Sequence, residues 1–409
     1  MTFTGLWDEI ADVGRHPASG GYRRFAWTDA DLTLREWFVG AAQQRGLDVE
    51  TDRNGNLWAW WWPPGWTGDP RNAFVTGSHL DSVPDGGAFD GPLGVVSAFA
   101  AVDRLRASGF RPTVPVGIAA FSDEEGARFG VACVGSRLSS GVLTADKGLA
   151  LKDADGITLA EALTAAGRDI STVGADTALA DRVGVFVELH VEQGRMLDRL
   201  HHPLAVASSI WPHGRWRLSF TGEANHAGTT SMADRHDPML AYAATVAAAR
   251  ARAVENGAVA TFGRLAVQPG GTNAIASRID SWLDARAAGP DALDATTAAI
   301  LADAQWAATA DGLGFDWAAE SVTPIVEFPD APRQRMTDIL RTNGFGETPV
   351  LGTAAGHDAG ILSAVVPTAM LFVRNPTGIS HSPAEFAETA DCLVGVDALT
   401  ALIRDWDRR

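Results

Sequence analysis

The sequence predicts an α/β main domain interrupted by an α+β insert of ferredoxin-like pattern. Three observations predict this. Short apolar runs alternate with longer helical patterns over residues 1–209 and again over 323–409. Between them, from 210 to 322, strand and helix patterns follow the order β-α-β-β-α-β. The length, 409 residues, suits two domains that each bury a core of their own.

Candidate core strands of the main domain are Ala73–Gly77, Val114–Phe121, Val183–Leu189 and Thr368–Val373. Helical patterns cover Leu32–Gln44, Pro92–Ser108 and Ala390–Trp406. Leu47–Trp62 alternates around Asn54-Gly55 and reads as a hairpin. Its cluster of Trp58, Trp60, Trp61 and Trp62 reads as a packed or interface surface rather than a ligand box. In the insert, Gly214–Thr221 alternates as a half-buried strand should. A helix from Asp237 to Glu255 follows, then strands Val259–Val267 and Arg278–Ala285, a helix Asp291–Ala310 and a strand Asp316–Val322. There is no internal repeat and no low-complexity tract.

Composition excludes several classes. Apolar residues make up 46% and charged residues 20%, ordinary values for a globular protein. A formal charge of −17 argues against nucleic-acid binding, which needs a basic face. Cys133 and Cys392 are the only cysteines and form no CxxC pair, so neither a disulfide framework nor a thiolate zinc site is expected. The N-terminus lacks the apolar run of a signal peptide. Ile361–Val373 is apolar but too short to span a membrane and contains Pro367. The expectation is a cytoplasmic protein without membrane or nucleic-acid partners. GxSxG, GxxxxGK[ST] and HExxH motifs are absent.

The chemistry-bearing residues follow the predicted strands. Ser78-His79-Leu80-Asp81 follows the first and Ser122-Asp123-Glu124-Glu125-Gly126 the second. His190 ends the third, and a loop carrying Gly378-Ile379-Ser380-His381 follows the fourth. Open α/β sheets bind ligands at the carboxyl ends of their strands, so four strand ends deliver His and acidic residues to one edge. The loop Asp85-Gly86-Gly87-Ala88-Phe89-Asp90-Gly91 adds another carboxylate on a backbone free to bend closely. A lone histidine is usually a surface or satisfied core residue, and an acidic pair is usually solvated. Their convergence points instead to a site for zinc, manganese, cobalt or nickel.

The segments GSHLDSVPDGGAFDGPLGV, FSDEEGARFG, ELHVEQG, ANHAGTTSMADRHDP, PGGTNAIASRIDSWLDAR, AAGHDAG and GISHSPAE occur in that order. Together they resemble the amidohydrolase branch of the M20 metallopeptidases, which includes allantoate amidohydrolases, N-carbamoyl-L-amino-acid hydrolases and β-ureidopropionases. The resemblance covers nearly the whole chain. It implies a zinc-peptidase-like catalytic domain, with a mixed sheet and helices on both faces, and an inserted lid that also forms a homodimer. It implies two divalent metal ions, one held by His79, Asp90 and His190 and the other by Asp90, Glu125 and His381. Glu124 matches the catalytic acid/base. His226 matches a histidine that reaches the active site from the partner subunit and serves the oxyanion. Gln193 and His357 match residues that hold the ureido or amide group, and Asn273 and Arg286 those that hold a substrate carboxylate. Asp81, two residues after His79, is placed to accept the other ring N–H of that histidine.

The chain departs from the family pattern near the substrate. Ala287 stands where many relatives have His, and Thr353-Ala354-Ala355-Gly356-His357-Asp358 replaces Ser-Gly-Ala-Gly-His-Asp. Arg374 lies in a loop where relatives have Val-Pro-Ser. It reads either as a partner for a second substrate carboxylate or as an exposed loop arginine. The leading expectation is a hydrolase of the C–N bond of allantoate or an N-carbamoyl amino acid. The alternative is an N-formyl or N-acyl amino acid deacylase, for example of N-formylglutamate, or a dipeptidase.

Overall fold

The structure is a computed structural model describing residues 2–67 and 72–406. The chain forms two compact units. The first comprises Met1–Ser208, Phe328–Leu351 and Gly356–Arg409; the second comprises Ser209–Glu327 and Gly352–Ala355.

The first unit is built on a mixed sheet. Its strands include β1 (Asp48–Thr51), β2 (Leu57–Trp61), β3 (Ala73–His79), β4 (Val116–Phe121), β5 (Val183–Val191) and β6 (Leu204–Ile210). The order is β1-β2-β4-β3-β5, then Thr368–Val373, then β6. β3 runs parallel to β4 and β5, and Thr368–Val373 runs parallel to β5. The carboxyl ends of these four strands therefore share one edge of the sheet. β2 and β6 join antiparallel on either side.

Two strands run further than their apolar runs indicate. β3 continues through His79, which pairs with Phe121, and β5 continues through Val191, with His190 paired to Phe372. Ladder hydrogen bonds are indifferent to side-chain polarity, so a polar residue does not end a central strand. β5 also has two faces. Val185, Val187, Leu189 and Val191 join the main apolar core, while Glu188 and His190 alternate with them.

The hairpin β1–β2 turns on a buried carboxylate. Asp52 accepts hydrogen bonds from the amides of Asn54 and Asn56, from Asn56 Nδ2 and from Trp58 Nε1. Trp58 and Trp60 are buried and stack with centroids 5.8 Å apart, whereas Trp62 is exposed. Most of the tryptophan cluster is thus core wall. The helix Pro92–Ala107 starts after Gly91, with Pro at its first turn, and is buried along nearly its whole length against β3 and β5.

In the second unit, strands His213–Thr221, Val259–Gln268, Arg278–Arg286 and Gly314–Thr323 form an antiparallel sheet. Numbered within the unit, the spatial order is 4-1-3-2, the ferredoxin-like arrangement. Helices Pro238–Glu255 and Pro290–Ala310 lie between the strands in sequence and cover a core of Leu218, Phe220, Ile279, Leu283 and Ile300. A short ribbon pairs Asn225–His226 with Ala274–Ile275.

Arg24 ties the N-terminal segment to the loop after β3. Its buried guanidinium donates to the carbonyls of Ile10 and Val13 at 2.7 and 2.9 Å and lies over the Tyr22 ring. Its amide donates to Ser82 Oγ, and the Ser82 amide donates back to the Arg24 carbonyl. Arg24→Met leaves the Val13 carbonyl without a donor and the Ile10 carbonyl with only the Val13 amide, and we expect a loss of about 1–3 kcal/mol in urea unfolding. An unchanged midpoint would mean that water replaces the guanidinium.

Candidate metal centre

His79 ends β3, His190 is the last residue but one of the adjacent parallel β5, and both are fully buried. His79 Nδ1 lies 3.1 Å from the Asp81 carbonyl and His190 Nδ1 lies 2.8 Å from the Val191 carbonyl. A carbonyl only accepts, so both Nδ1 atoms carry a proton, and in the neutral rings that a cation would require both Nε2 atoms offer lone pairs. These Nε2 atoms have no hydrogen-bond partner among the described residues. Both face Asp90 Oδ1, at 3.5 and 3.1 Å. Buried polar atoms left unpaired are costly. A divalent cation would satisfy both nitrogens and the carboxylate at once, and two imidazoles with a carboxylate are the donor set such ions take. The residues fit a metal.

A second group shares Asp90. Single ligand atoms of Asp90, Glu125 and His381 lie within 4.8 Å of one another, as do those of His79, Asp90 and His190. His381 Nε2 stands 3.5 Å from both Asp90 Oδ2 and Glu125 Oε2, and its side chain is 50% exposed. Gln193 Nε2 donates to Asp90 Oδ2 at 2.8 Å, which places the amide beside both groups.

Asp90 is held by a residue whose role the sequence did not disclose. Glu385 Oε1 accepts the amides of Phe89 and Asp90 at 2.8 and 2.9 Å. The glycines of the loop make this possible. A Cβ at Gly87 would lie 2.4 Å from the Glu385 carboxylate, and one at Gly91 (φ +87°) would lie 2.4 Å from the His79 ring. Burial, then Asp90, pushes the Glu385 carboxyl up to about 7. Its signal was the acid in GISHSPAE, which carried no assigned task.

Glu124 follows β4, with Oε2 3.7 Å from His79 Nε2. Burial raises its carboxyl well above the usual range; Asp358 and Glu125 add to this against the pull of His79. Glu125 is pushed to about 8 by burial and by Asp90. For His79, burial opposes the charged form, but Glu124, Asp81 and Asp90 outweigh it and the ring is raised.

Asp81 meets the His79 ring N–H through its main chain. Its backbone carbonyl, not its carboxylate, is the hydrogen-bond acceptor for His79. The carboxylate is 3.5 Å from that ring and instead accepts the amides of Glu124 and Glu125 at 3.1 and 3.0 Å. Both its oxygens are thereby engaged in fixing the loop after β4, so the ring takes the nearer main-chain oxygen. Asp81 aligns the acidic pair.

His357 is buried, with its ring 4.5 Å from that of His190 and its Nε2 without a hydrogen-bond partner among the described residues. Burial, then His190, holds it neutral, well below the usual range. Arg374 is anchored through one guanidinium nitrogen and its main chain. Its Nε donates to buried Asp391 at 2.8 Å, and its amide donates to the Pro203 carbonyl. Glu192 accepts the amides of Met196 and Leu197 and so caps a short helix. His226, Asn273 and Arg286 belong to the second unit. His226 is exposed on the short ribbon, and the amide of Ala227 donates to the Asn273 carbonyl. Arg286 ends its strand paired with Asp284 at 2.8 Å and donates to the Ala354 carbonyl.

The chain has known relatives. A model of peptidase family M20/M25/M40 matches residues 75–405. The chain belongs to this family. It is similar to the N-carbamoyl-L-amino acid amidohydrolase of Geobacillus stearothermophilus, 34% identical over 398 residues, 96% of each chain. It is 29% identical over 399 residues to the allantoate amidohydrolase of Escherichia coli, covering 96% of this chain and 95% of that one. The crystal structure of an amidase of the hydantoinase/carbamoylase family from Burkholderia multivorans superposes with a TM-score of 0.87 at 30% identity, over 98% and 97% of the two chains. In this M20 chain, the His, Asp and Glu groups at the sheet edge are suited to holding metal ions. No helix among the described residues is long and apolar enough to cross a membrane.

Residues that orient metal ligands usually matter about 10–100-fold for affinity. Glu385→Ala should therefore weaken metal retention by about 10–100-fold, read as metal content after dialysis against a graded chelator. Wild-type retention would show that the loop holds Asp90 unaided.

Proposed function

We propose that the chain is a metal-dependent amidohydrolase that cleaves the C–N bond of a ureido substrate, allantoate or an N-carbamoyl-L-amino acid. The observation that carries this reading is the pair of buried, unpartnered Nε2 atoms converging on Asp90 with Glu124 alongside. The named relatives supply the substrate class. His79, Asp90 and His190 hold one divalent ion, Asp90, Glu125 and His381 a second, drawn from zinc, manganese, cobalt and nickel. Such ions, when bound, polarise a scissile carbonyl and acidify water.

The chain's own groups do the rest. Glu124 takes the proton of the attacking water and delivers it to the departing nitrogen. Gln193 and His357 hold the ureido group. Asn273 and Arg286 hold the substrate carboxylate, for which the planar guanidinium fork is suited. His226 donates to the oxyanion as the contribution of a partner copy, which makes the second unit the lid and homodimerisation surface. Two buried, unpaired cysteines fit a cytoplasmic setting.

Metal-stripped protein is to be assayed with Mn²⁺, Zn²⁺, Co²⁺ or Ni²⁺ on allantoate, a set of N-carbamoyl-L-amino acids and N-formyl-L-glutamate. Ammonia release that depends on added metal, from a ureido compound, is the expected result. Cleavage of the formyl compound alone would move the protein to the deacylases.

Two variants separate the roles. Glu124→Gln should keep its metal content and lose about 10²–10⁴-fold in kcat. Arg286→Ala should raise KM for carboxylate substrates about 10–100-fold, the equivalent of about 1.5–3 kcal/mol, with metal content unchanged. Loss of metal in either variant contradicts its assignment.

A further inference from the structure

We infer that Cys133 is a positioning residue for Glu124, its thiol fixing the orientation in which the carboxylate faces the metal groups. The inference rests on the reading of Glu124 as the general base.

Cys133 Sγ donates to Glu124 Oε1 at 3.3 Å in a buried environment. Oε2 is left on the side of His79 Nε2, 3.7 Å away. The Asp81 carboxylate and the Cys133 amide engage only the backbone of Glu124, so neither steers the side chain. A glutamate has three rotatable side-chain bonds. A base must be held to within about 0.5 Å and 10–20° of its working geometry. The thiol supplies that restraint.

The backbone around Cys133 strengthens the argument. Its amide donates to the Glu124 carbonyl at 2.6 Å, and the next two amides donate to the Asp123 and Ser122 carbonyls. These three bonds lock the segment before the helix Val134–Ser140 onto the loop that carries Glu124. Cys133 itself is left-handed, at φ 57° and ψ 40°, a conformation that glycine adopts freely and a side-chain-bearing residue adopts at a cost. The chain accepts that cost to keep a side chain whose polar atom meets the base. Cys392, the other cysteine, lies inside the helix Thr389–Asp405. Burial, with the neighbouring Glu124 and Asp358, keeps the Cys133 thiol protonated, so it serves as a donor and not as a nucleophile.

The test compares C133A, C133S and C133G in metal-loaded protein, with E124Q alongside. C133A should lose about 10–100-fold in kcat, the scale of a misplaced catalytic group, with KM and metal content unchanged. C133S retains a donor and should stay within about 3-fold of wild type. C133G relieves the left-handed backbone and should unfold at a higher temperature than C133A, yet lose kcat as C133A does. Wild-type kcat in C133A overturns the inference, as does a serine variant no better than alanine. If E124Q itself turns over normally, the reading of Glu124 as base fails instead; an inactive E124Q beside a fully active C133A condemns only the role of the thiol.

Discussion

Asp90 is shared by the group with His79 and His190 and the group with Glu125 and His381, so the geometry of each depends on where its carboxylate is held. A carboxylate on a glycine-rich loop has little rigidity of its own. Here it is confined from behind by Glu385, which takes the amides of residues 89 and 90, and from the side by Gly91, whose missing side chain lets the His79 ring close in. Parallel strands then bring His79, Glu124 and His190 to the same edge. The sheet sets the coarse geometry, and one buried glutamate sets the fine one.

The fold was largely legible because its signals are periodic. Alternation and helical spacing in residues 210–322 matched strands and helices that assemble in the 4-1-3-2 order. The apolar run Thr368–Val373 is a strand over that same span. Strand ends were less legible where they mattered most. His79 and His190 are polar, so an apolar pattern stops before them, although the ladder does not. The edge of the sheet was readable, and the depth of the histidines within it was not.

Among the candidate site residues, those following the strands could be found because four ordered segments each ended in a ligand type. What escaped were contacts between distant segments. Glu385 acts on Asp90 across 295 residues. Asp81 was placed near His79 by its spacing, yet which of its oxygens takes the ring depends on the loop after β4, 43 residues away. Arg374 looked available because its partner Asp391 lies on a separate helix. Spacing along a chain reports shared faces; it carries no record of which distant group has already claimed a hydrogen bond.

β5 interleaves core and site within nine residues, four aliphatic side chains on one face and Glu188 and His190 on the other. A substitution on either face disturbs one layer at a time. A one-residue insertion or deletion does something different: it rotates the rest of the strand by half a period, turning aliphatic groups toward the site and the acid and imidazole into the apolar layer. A change in the length of β5 therefore disturbs the apolar layer and the site together, whereas a single substitution disturbs only one of them.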